Sequence, residues 1–507
     1  MSAVDNILDR TFGLSAKGVT AGSEIRAGIT TFLTMAYILL VNPAMLSVAG
    51  IPFDDALFAT AIAAFVGCVV MGLWANLPFA LAPGMGLNAY FTFAVVLGMG
   101  IDWKVALAAV FLEGIIFLII SIPQIGWRTK MINAIPKDLK IATGAGIGAF
   151  LAIIGLREMG WIQDDGATLV NLGGTEAFSM SHGALIGMIA LLAIAAMMAR
   201  GMKGAIIIGI MVASMYGWMF DVYDPYNDMI NGGAGWACEW ANFDNNFNAI
   251  VTGDPAVDYV DPSCIYAAAP DPNDIFGFVG LPEESLGAAV SAFGNISGTW
   301  DDFLLVMIAF LFVDIFDTAG TLYSVGRQAG YVDADDTLHR SEEAFMSDAS
   351  ATIVGALTGT STTTTYIESA AGVEEGGKTG LVAVTVGILM LSGLFLSGLF
   401  KAIPTFAAAS ALVIIGAMMM KQVVDIDWND SEIVLPAFLT IVLMPFTYSI
   451  ADGIAWGVIT YVLIKMMVGK FEEPGPIMYG IAVFMLMFYL GPGDQSTFGW
   501  LFETIGI

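Results

Sequence analysis

Long runs without charged residues are the feature of this sequence that most constrains its fold. Between residues 27 and 470 the chain repeatedly passes through apolar stretches that contain almost no Asp, Glu, Lys or Arg. Many approach the ~20 residues that an α-helix needs to cross the hydrocarbon core of a bilayer. Only 13% of all residues are charged, whereas soluble domains carry about 25%. A transmembrane β-barrel would show short alternating segments instead. The sequence therefore predicts an all-α polytopic membrane protein.

The apolar runs form two groups of seven on either side of an acidic stretch. The predicted membrane spans are 27–50, 55–75, 78–98, 103–123, 140–157, 183–199 and 203–220, then 303–325, 343–358, 360–376, 379–400, 404–420, 432–448 and 450–470. Residues 1–220 and 303–470 are thus predicted to be two repeats, and 471–507 a C-terminal interfacial segment. Because seven is odd, the second repeat runs through the membrane in the opposite direction to the first.

Basic residues indicate the orientation of these spans. If the N-terminus is cytoplasmic, only Lys104, Arg157 and Lys401 of the 18 Lys and Arg residues fall on the outer side. Such a bias matches the positive-inside rule. We therefore expect a multi-pass protein of the plasma or inner membrane with both termini in the cytoplasm.

Residues 221–302 form the acidic stretch, which this orientation places outside the cell. It holds fourteen Asp and Glu residues, and no Lys or Arg occurs between Lys203 and Arg327. A solvated loop is the simpler interpretation, and a vestibule that collects cations is the alternative. The net charge of −28 disfavours nucleic-acid binding. The sequence leaves open whether Cys238 and Cys264 pair within this loop.

The sequence contains a pattern that matches a phosphate-binding loop, but the residues around it do not fit such a loop. Residues Gly372 to Thr379 read G-x-x-x-x-G-K-T. A functional phosphate loop follows a buried strand of an α/β domain, but here "TGTSTTTTYIES" precedes it. Glu374 and Glu375 within the loop would also repel phosphate. We therefore predict a flexible link between two membrane segments, with Lys378 marking its cytoplasmic end.

Three carboxylates occur inside predicted membrane spans. Asp314 and Asp317 in "FLFVDIFDTAG" are spaced i, i+3 and share one helix face, and Glu368 lies in the broken tenth span. An intramembrane carboxylate is costly unless it is paired, solvated or protonated. A helix cap or a buried hydrogen bond can explain one such residue more easily than all three. Because ionised carboxylates only accept hydrogen bonds, we expect a neutral or cationic substrate with N–H donors.

The third and tenth spans are both interrupted by Gly, Pro or Thr, which is typical of a midplane binding site in a secondary transporter. Asn88 in "GMGLNAYFTF" adds a polar group from the third span. Tyr90 and Phe93 either pack between helices or form an aromatic face for a flat ligand. Glu113 is a fourth intramembrane carboxylate, and serves either in a proton relay or in a helix–helix hydrogen bond. Desolvation disfavours ionised carboxylates, so such groups can carry protons.

Enzymatic function finds little support in the sequence. The two histidines, His182 and His339, lie near span ends, away from the carboxylates. No Cys/His spacing indicates a metal site, and no nucleophile motif is present. We expect neither catalysis nor a cofactor.

Four motifs resemble the AzgA-like branch of the nucleobase–cation symporter-2 (nucleobase–ascorbate transporter-like) family. They read "TFLTMAYILLVNPAML", "ALAPGMGLNAYFTF", "FVDIFDTAGTL" and "GTSTTTTYIESAAGVEEGGKTGL". The resemblance implies fourteen segments in two inverted repeats of seven, with short extended stretches in segments 3 and 10. It implies a core domain of residues 27–123 and 303–400 and a gate domain of residues 140–220 and 404–470. An elevator-type movement and a homodimer are also implied.

The resemblance implies a permease that imports adenine, guanine or hypoxanthine by proton symport. The base would contact Asp317, Glu368 and Asn88, with Asp314 in a supporting role. The residues that can couple to protons are Asp314, Asp317, Glu368 and Glu113. The sequence leaves open which purine is preferred, whether the base is instead uracil or xanthine, and whether sodium replaces the proton. A passive channel is a further alternative.

Overall fold

The structure is a computed structural model, and it describes residues 3–122, 124, 134–165, 167–172, 183–220, 222, 269–270, 275–296, 300–332, 338–490, 497, 500 and 504. Most of the acidic stretch lies outside these residues. The predictions for Cys238, Cys264 and His182 therefore also lie outside the described residues.

In the first half of the chain the described residues form helices, one broken segment and a short hairpin. Its helices are α1 (Ala3–Phe12), α2 (Ala21–Met35), α3 (Ile38–Val48), α4 (Phe53–Val70), α5 (Met85–Ala89), α6 (Trp103–Ser121), α7 (Lys137–Glu158), α8 (Gly183–Ala199) and α9 (Ala205–Met219). Helix α5 continues as a π-helix over Tyr90–Gly98. Helix α2 begins earlier than the predicted span because Thr20 and Ser23 form a capping box, in which each side chain accepts from the other's backbone N–H.

The second half repeats this pattern. Its helices are α10 (Ala288–Ser291), α11 (Trp300–Gln328), α12 (Ser341–Thr358), α13 (Ser369–Glu374), α14 (Gly380–Met390), α15 (Ser397–Lys401), α16 (Thr405–Met420), α17 (Ser431–Thr447), α18 (Ile450–Val468) and α19 (Gly475–Tyr489). Helix α19 falls in the segment predicted to be interfacial, and it packs against α18.

Several described helices can cross a membrane. Six helical stretches in the described part of the chain are long and apolar enough: Ala21–Val48, Phe53–Ala75, Trp103–Ser121, Lys137–Glu158, Thr405–Asp425 and Ile450–Val468. Shorter apolar helices accompany them. The predicted class, a helical multi-pass membrane protein, is confirmed.

Two short strands join the two halves at the centre of the molecule. Strand β1 (Leu81–Pro83) pairs antiparallel with β4 (Thr363–Thr365), with Ala82 opposite Thr364. The backbone N–H of Gly84 donates to Thr362 O and that of Tyr366 donates to Ala80 O, each at 2.9 Å. In these broken segments no helix pairs the backbone N–H and C=O groups. The strand pairing supplies hydrogen bonds for those that are buried. The other two strands, β2 (Ile162–Asp165) and β3 (Leu169–Leu172), form a separate hairpin.

The helices pack into two bundles. The strand bundle contains α2–α6 and α11–α14 around β1 and β4, and the second bundle contains α7–α9 and α16–α18. Helices α7 and α16 of the second bundle approach so closely that a Cβ atom on Gly148 would lie only 2.6 Å from Gly416 O. The bundles meet where α7 and α18 contact α11.

Candidate functional site

A central cavity lies between the two bundles, beside the strand pair. Its walls come from α5, α11, β4 and the segment before α13 on one side, and from α7 and α16 on the other. The lining residues are Tyr37, Gly84, Met85, Gly86, Gly144, Ile147, Leu151, Phe316, Asp317, Thr321, Thr364, Thr365, Tyr366, Ile367, Glu368, Ile415, Met419 and Gln422. Two of the predicted carboxylates therefore share one cavity.

Glu368 lies directly before α13 and is 5% exposed. The hydroxyl of Tyr37 donates to its Oε1 at 2.7 Å, and its own backbone amide also contacts the carboxylate. Tyr37 is placed there by the break between α2 and α3. A carboxylate has about four acceptor sites, so Glu368 keeps capacity to accept hydrogen bonds from a ligand in the cavity.

Asp317 lines the same cavity from the middle of α11. The side chain of Thr364, on β4, lies beside it in the cavity wall. Asp314 is one turn earlier and fully buried, and Thr318 donates to its Oδ1 at 3.0 Å. Asp314 is not among the residues of the cavity wall. Asp317 is therefore the member of the pair that can touch a ligand.

Asn88 lies on α5, fully buried behind the cavity wall that Gly84, Met85 and Gly86 form. Its Oδ1 accepts from the hydroxyl of Ser361, in the segment that leads to β4. Its Nδ2 has no hydrogen-bond partner within the described residues. In this arrangement Asn88 braces the crossing of the two broken segments and keeps an unused donor nearby.

The other three predicted site residues lie outside the central cavity. Tyr90 stands edge-on to Phe310, with 5.2 Å between ring centroids. Phe93 meets Tyr448 in the same manner at 6.4 Å, and both Tyr90 and Phe93 line another cavity farther along the bundle interface. Glu113 is fully buried within the strand bundle on α6. The structure thus brings Asp317 and Glu368 together and separates them from the predicted aromatic face.

Sequence reasoning missed several residues of this site. Tyr37 and Tyr366 contribute rings to the cavity wall, and the hydroxyl of Tyr366 donates to Pro83 O of β1. Asp348 on α12 is fully buried and accepts from the Thr365 hydroxyl at 3.1 Å. Asp348 could have been identified from the sequence, because it is an acidic residue in a predicted membrane span. Nothing in the sequence indicates that the Tyr37 side chain reaches the cavity.

The phosphate-loop motif binds a carboxylate from its own chain. Glu24 on α2 accepts from the backbone N–H of Lys378 at 3.1 Å, and from both the backbone N–H and the hydroxyl of Thr379 at 2.7 and 2.5 Å. The side chain of Lys378 is exposed. The donors that would hold a phosphate are therefore already used to tie this link to α2.

The fold defines a class of protein, a helical multi-pass membrane protein. A solved structure of SLC26A9 superposes with a TM-score of 0.55 at 12% identity, covering 92% of this chain and 69% of that one. The transmembrane domain of a cyanobacterial bicarbonate transporter, BicA, gives 0.53 at 13% identity, covering 88% and 96%. At such identities the likeness concerns the fold alone.

The family follows from sequence comparison. The family model described as "Permease family" matches residues 22–240 and 293–456. The guanine/hypoxanthine permease PbuG of Bacillus subtilis is 37% identical, covering 94% of this chain and 98% of that protein. The adenine permease AdeP of Escherichia coli is 36% identical, covering 95% of both. The chain belongs to this permease family, in the nucleobase–cation symporter-2 group that its motifs resemble.

Proposed function

We propose that this protein imports purine nucleobases by symport with protons, and that Asp317 and Glu368 bind the base. The observation that carries this proposal is that both carboxylates line one cavity at the interface of two helical bundles. Relatives that match over nearly their whole length bear the names of guanine/hypoxanthine and adenine permeases. These names favour guanine, hypoxanthine or adenine over uracil or xanthine.

A purine base suits the chemistry of the cavity. It is flat, uncharged and edged with N–H groups, which can donate to the carboxylates of Asp317 and Glu368. The rings of Tyr37, Phe316 and Tyr366 lie in the same wall and offer surfaces for stacking. A site built to accept hydrogen bonds discriminates strongly against analogues that lack the donor. We expect Asn88 to contribute through Ser361 and the strand pair rather than by touching the base.

Buried carboxylates also supply the means of coupling to protons. Desolvation favours the protonated form, so a proton can accompany the base through the membrane without leaving a net charge in the cavity. Asp317 and Glu368 line the cavity, whereas Asp314 and Glu113 are fully buried and are not part of its wall. We propose the first two as the proton-carrying groups that the substrate meets. Sodium coupling is the alternative that a gradient experiment separates.

The proposed architecture has fourteen segments in two inverted repeats, residues 1–220 and 303–470, with both termini in the cytoplasm. The strand bundle corresponds to the core domain (27–123 and 303–400) and the second bundle to the gate (140–220 and 404–470). In support, β1 and β4 come from the third segment of each repeat and pair across the centre. The core would move against the gate as an elevator, within a homodimer.

Radiolabelled hypoxanthine uptake into vesicles tests this function. We expect an imposed proton gradient to drive accumulation in the wild type and not in Glu368→Gln. Glu374→Gln is a matched control, because Glu374 lies at the other end of α13 and is exposed. Competition by adenine, guanine, uracil and xanthine then defines the substrate. Accumulation driven only by a sodium gradient would show that sodium, and not the proton, is the coupling ion. Non-saturable uptake without any gradient would contradict symport.

A further inference from the structure

Tyr448 is a strained residue at the interface of the two bundles. It follows the last residue of α17 and adopts a left-handed backbone conformation, with φ of 55° and ψ of 30°. A bulky side chain is rare in this conformation. Such residues persist where the surrounding structure holds them, and they concentrate at functional sites. The Tyr448 ring lies in the interface between the bundles.

The ring of Tyr448 is held by both bundles. Phe93 of the strand bundle meets it edge-on at 6.4 Å between centroids. From the second bundle, Phe150 on α7 meets it at 5.6 Å, and the guanidinium of Arg157 lies 5.9 Å from the ring centroid. Phe150 is fully buried. These three aromatic rings therefore close the interface between a core helix and two gate helices.

This aromatic cluster lies beyond the central cavity along α7. Ile147 and Leu151 line the central cavity, whereas Ile154 and Arg157 line a second cavity that also includes Phe93 and Tyr448. From Ile147 to Arg157 the helix rises about 15 Å. The opposite end of the central cavity is bounded by Gly144, Met419 and Gln422, all of which are partly exposed. The central cavity thus reaches partly exposed residues at its Gln422 end, and the aromatic cluster lies beyond its other end.

We infer that Tyr448, with Phe93 and Phe150, forms the barrier that closes the substrate route on the Arg157 side of the binding site. The inference rests on the proposed transport function, because it assigns these rings a role in alternating access. Movement of the strand bundle against the second bundle separates Phe93 from Tyr448 and opens that side. The strained turn of Tyr448 keeps its ring on the gate while Phe93 departs with the core.

Cysteine labelling tests the barrier without requiring any substrate. Thr321→Cys places a thiol on the wall of the central cavity, in a chain that also carries Cys238→Ser and Cys264→Ser. A membrane-impermeant maleimide is added to right-side-out and to inside-out vesicles. From the Arg157 side we expect Tyr448→Ala to accelerate labelling at least about fivefold, and Tyr448→Phe to retain the slow rate. From the Gln422 side, labelling should change little. Phe93→Ala provides a second route to the same opening if Tyr448→Ala is poorly produced.

Equilibrium binding of hypoxanthine to the same purified variants separates a barrier from a merely structural role. We expect Tyr448→Ala to keep its affinity within about twofold, because Tyr448 is not part of the central cavity. Labelling that is unchanged from both sides in Tyr448→Ala and Phe93→Ala would overturn the inference. Absence of hypoxanthine binding in the wild type would instead refute the proposed substrate, while the labelling rates still decide the barrier.

Discussion

Glu24 and Glu368 are both buried glutamates, yet their surroundings differ in the number of donors. Glu24 is fully buried and receives hydrogen bonds from two backbone amides and one hydroxyl of the Lys378–Thr379 link. Glu368 receives one hydroxyl, from Tyr37, besides its own amide, and faces a cavity. Burial of a charge therefore does not by itself define a binding site. A carboxylate that its own chain has satisfied is structural, and one with spare acceptor capacity beside a cavity is available to a ligand.

Asp55 supports this distinction. It is buried at the start of α4 and accepts from the backbone N–H groups of Glu283, Glu284 and Ser285 at 3.2, 2.9 and 2.9 Å. Like Glu24, it ties a connecting segment to a membrane helix. Both residues accept hydrogen bonds from backbone amides. The sequence does not reveal these donors, because every residue except proline carries the same backbone N–H group.

The largest effect is expected for Glu368→Gln. The amide is similar in size but replaces one acceptor oxygen with a donor, which opposes the N–H edge of a base. Hydrogen bonds to charged groups contribute about 1.5–3 kcal/mol each, which corresponds to roughly 10- to 150-fold in affinity. Hypoxanthine binding to purified protein measures this loss. An affinity within about twofold of the wild type would show that Glu368 resembles Glu24.

Glu24→Ala should give the reverse result, a loss of stability without a loss of affinity. The substitution leaves two amides and a hydroxyl without their acceptor, at a cost of about 1–3 kcal/mol for each buried group that water does not reach. We expect a lower unfolding temperature and an unchanged dissociation constant for hypoxanthine. Lys378→Ala is the control, because it keeps the backbone amide that Glu24 binds and should change neither quantity. Weaker hypoxanthine binding at unchanged stability would contradict a structural role.

Tyr37→Phe should have an intermediate effect. It removes the hydroxyl that holds Glu368 at 2.7 Å and leaves the ring in the cavity wall. Because Tyr37 positions Glu368 and is not itself the acceptor for the base, we expect a smaller loss than for Glu368→Gln, roughly fivefold weaker binding of hypoxanthine, which corresponds to about 1 kcal/mol. Tyr90→Phe, outside the central cavity, should bind normally. Equal effects of the two substitutions would argue against a specific contact between Tyr37 and Glu368.

The smallest effect concerns an exposed ion pair between the bundles. Lys203, in the turn between α8 and α9, pairs with Glu375 after α13, and Arg26 lies 3.4 Å from the same carboxylate. Exposed pairs of this kind contribute little. We expect Lys203→Glu to change the uptake rate about twofold, and the exchanged pair Lys203→Glu with Glu375→Lys to restore it only in part, because Arg26 then faces a positive charge. A larger change that the exchange does not correct would show that the contact is not simply electrostatic.

This ion pair also separates two sources of pH dependence. The hydrogen bond and charge of Lys203 hold the pKa of Glu375 below its ordinary value, which is about 4.3 for glutamate. A depressed pKa means that the contact is present above that value and is lost only as the pH falls through the lowered pKa. Variation of uptake between about pH 5 and pH 8 therefore does not come from Glu375, and we expect the carboxylates of the cavity to contribute to it.

The sequence predicted the class of fold and the carboxylates of the cavity because both leave strong local signals. Asp317 and Glu368 are conspicuous in apolar spans, since an unpaired charge there is costly. The choice between Asp314 and Asp317 required the position of α11 relative to the cavity, as both share one helix face. Tyr90 and Phe93 were also identified from the sequence as candidate site residues. Their distance from the site depends on how the broken third segment crosses its neighbours, which the sequence does not show.

Pairing between distant segments explains the remaining gaps. The register of β1 with β4 joins residues almost 300 positions apart, such as Leu81 and Thr365, and no local pattern specifies it. Tyr37 reaches Glu368 only because helix α2 ends at Met35 and α3 begins at Ile38. No Gly or Pro marks that break in the sequence, so periodicity predicts one continuous span.

An experimental structure of the protein with hypoxanthine bound tests the binding site most directly. If Asp317 and Glu368 bind the base, it lies in the central cavity with its N–H groups within hydrogen-bond distance of both carboxylates. A base found instead in the cavity lined by Tyr90 and Asp452, with neither carboxylate in contact with it, would show that these residues do not bind the substrate.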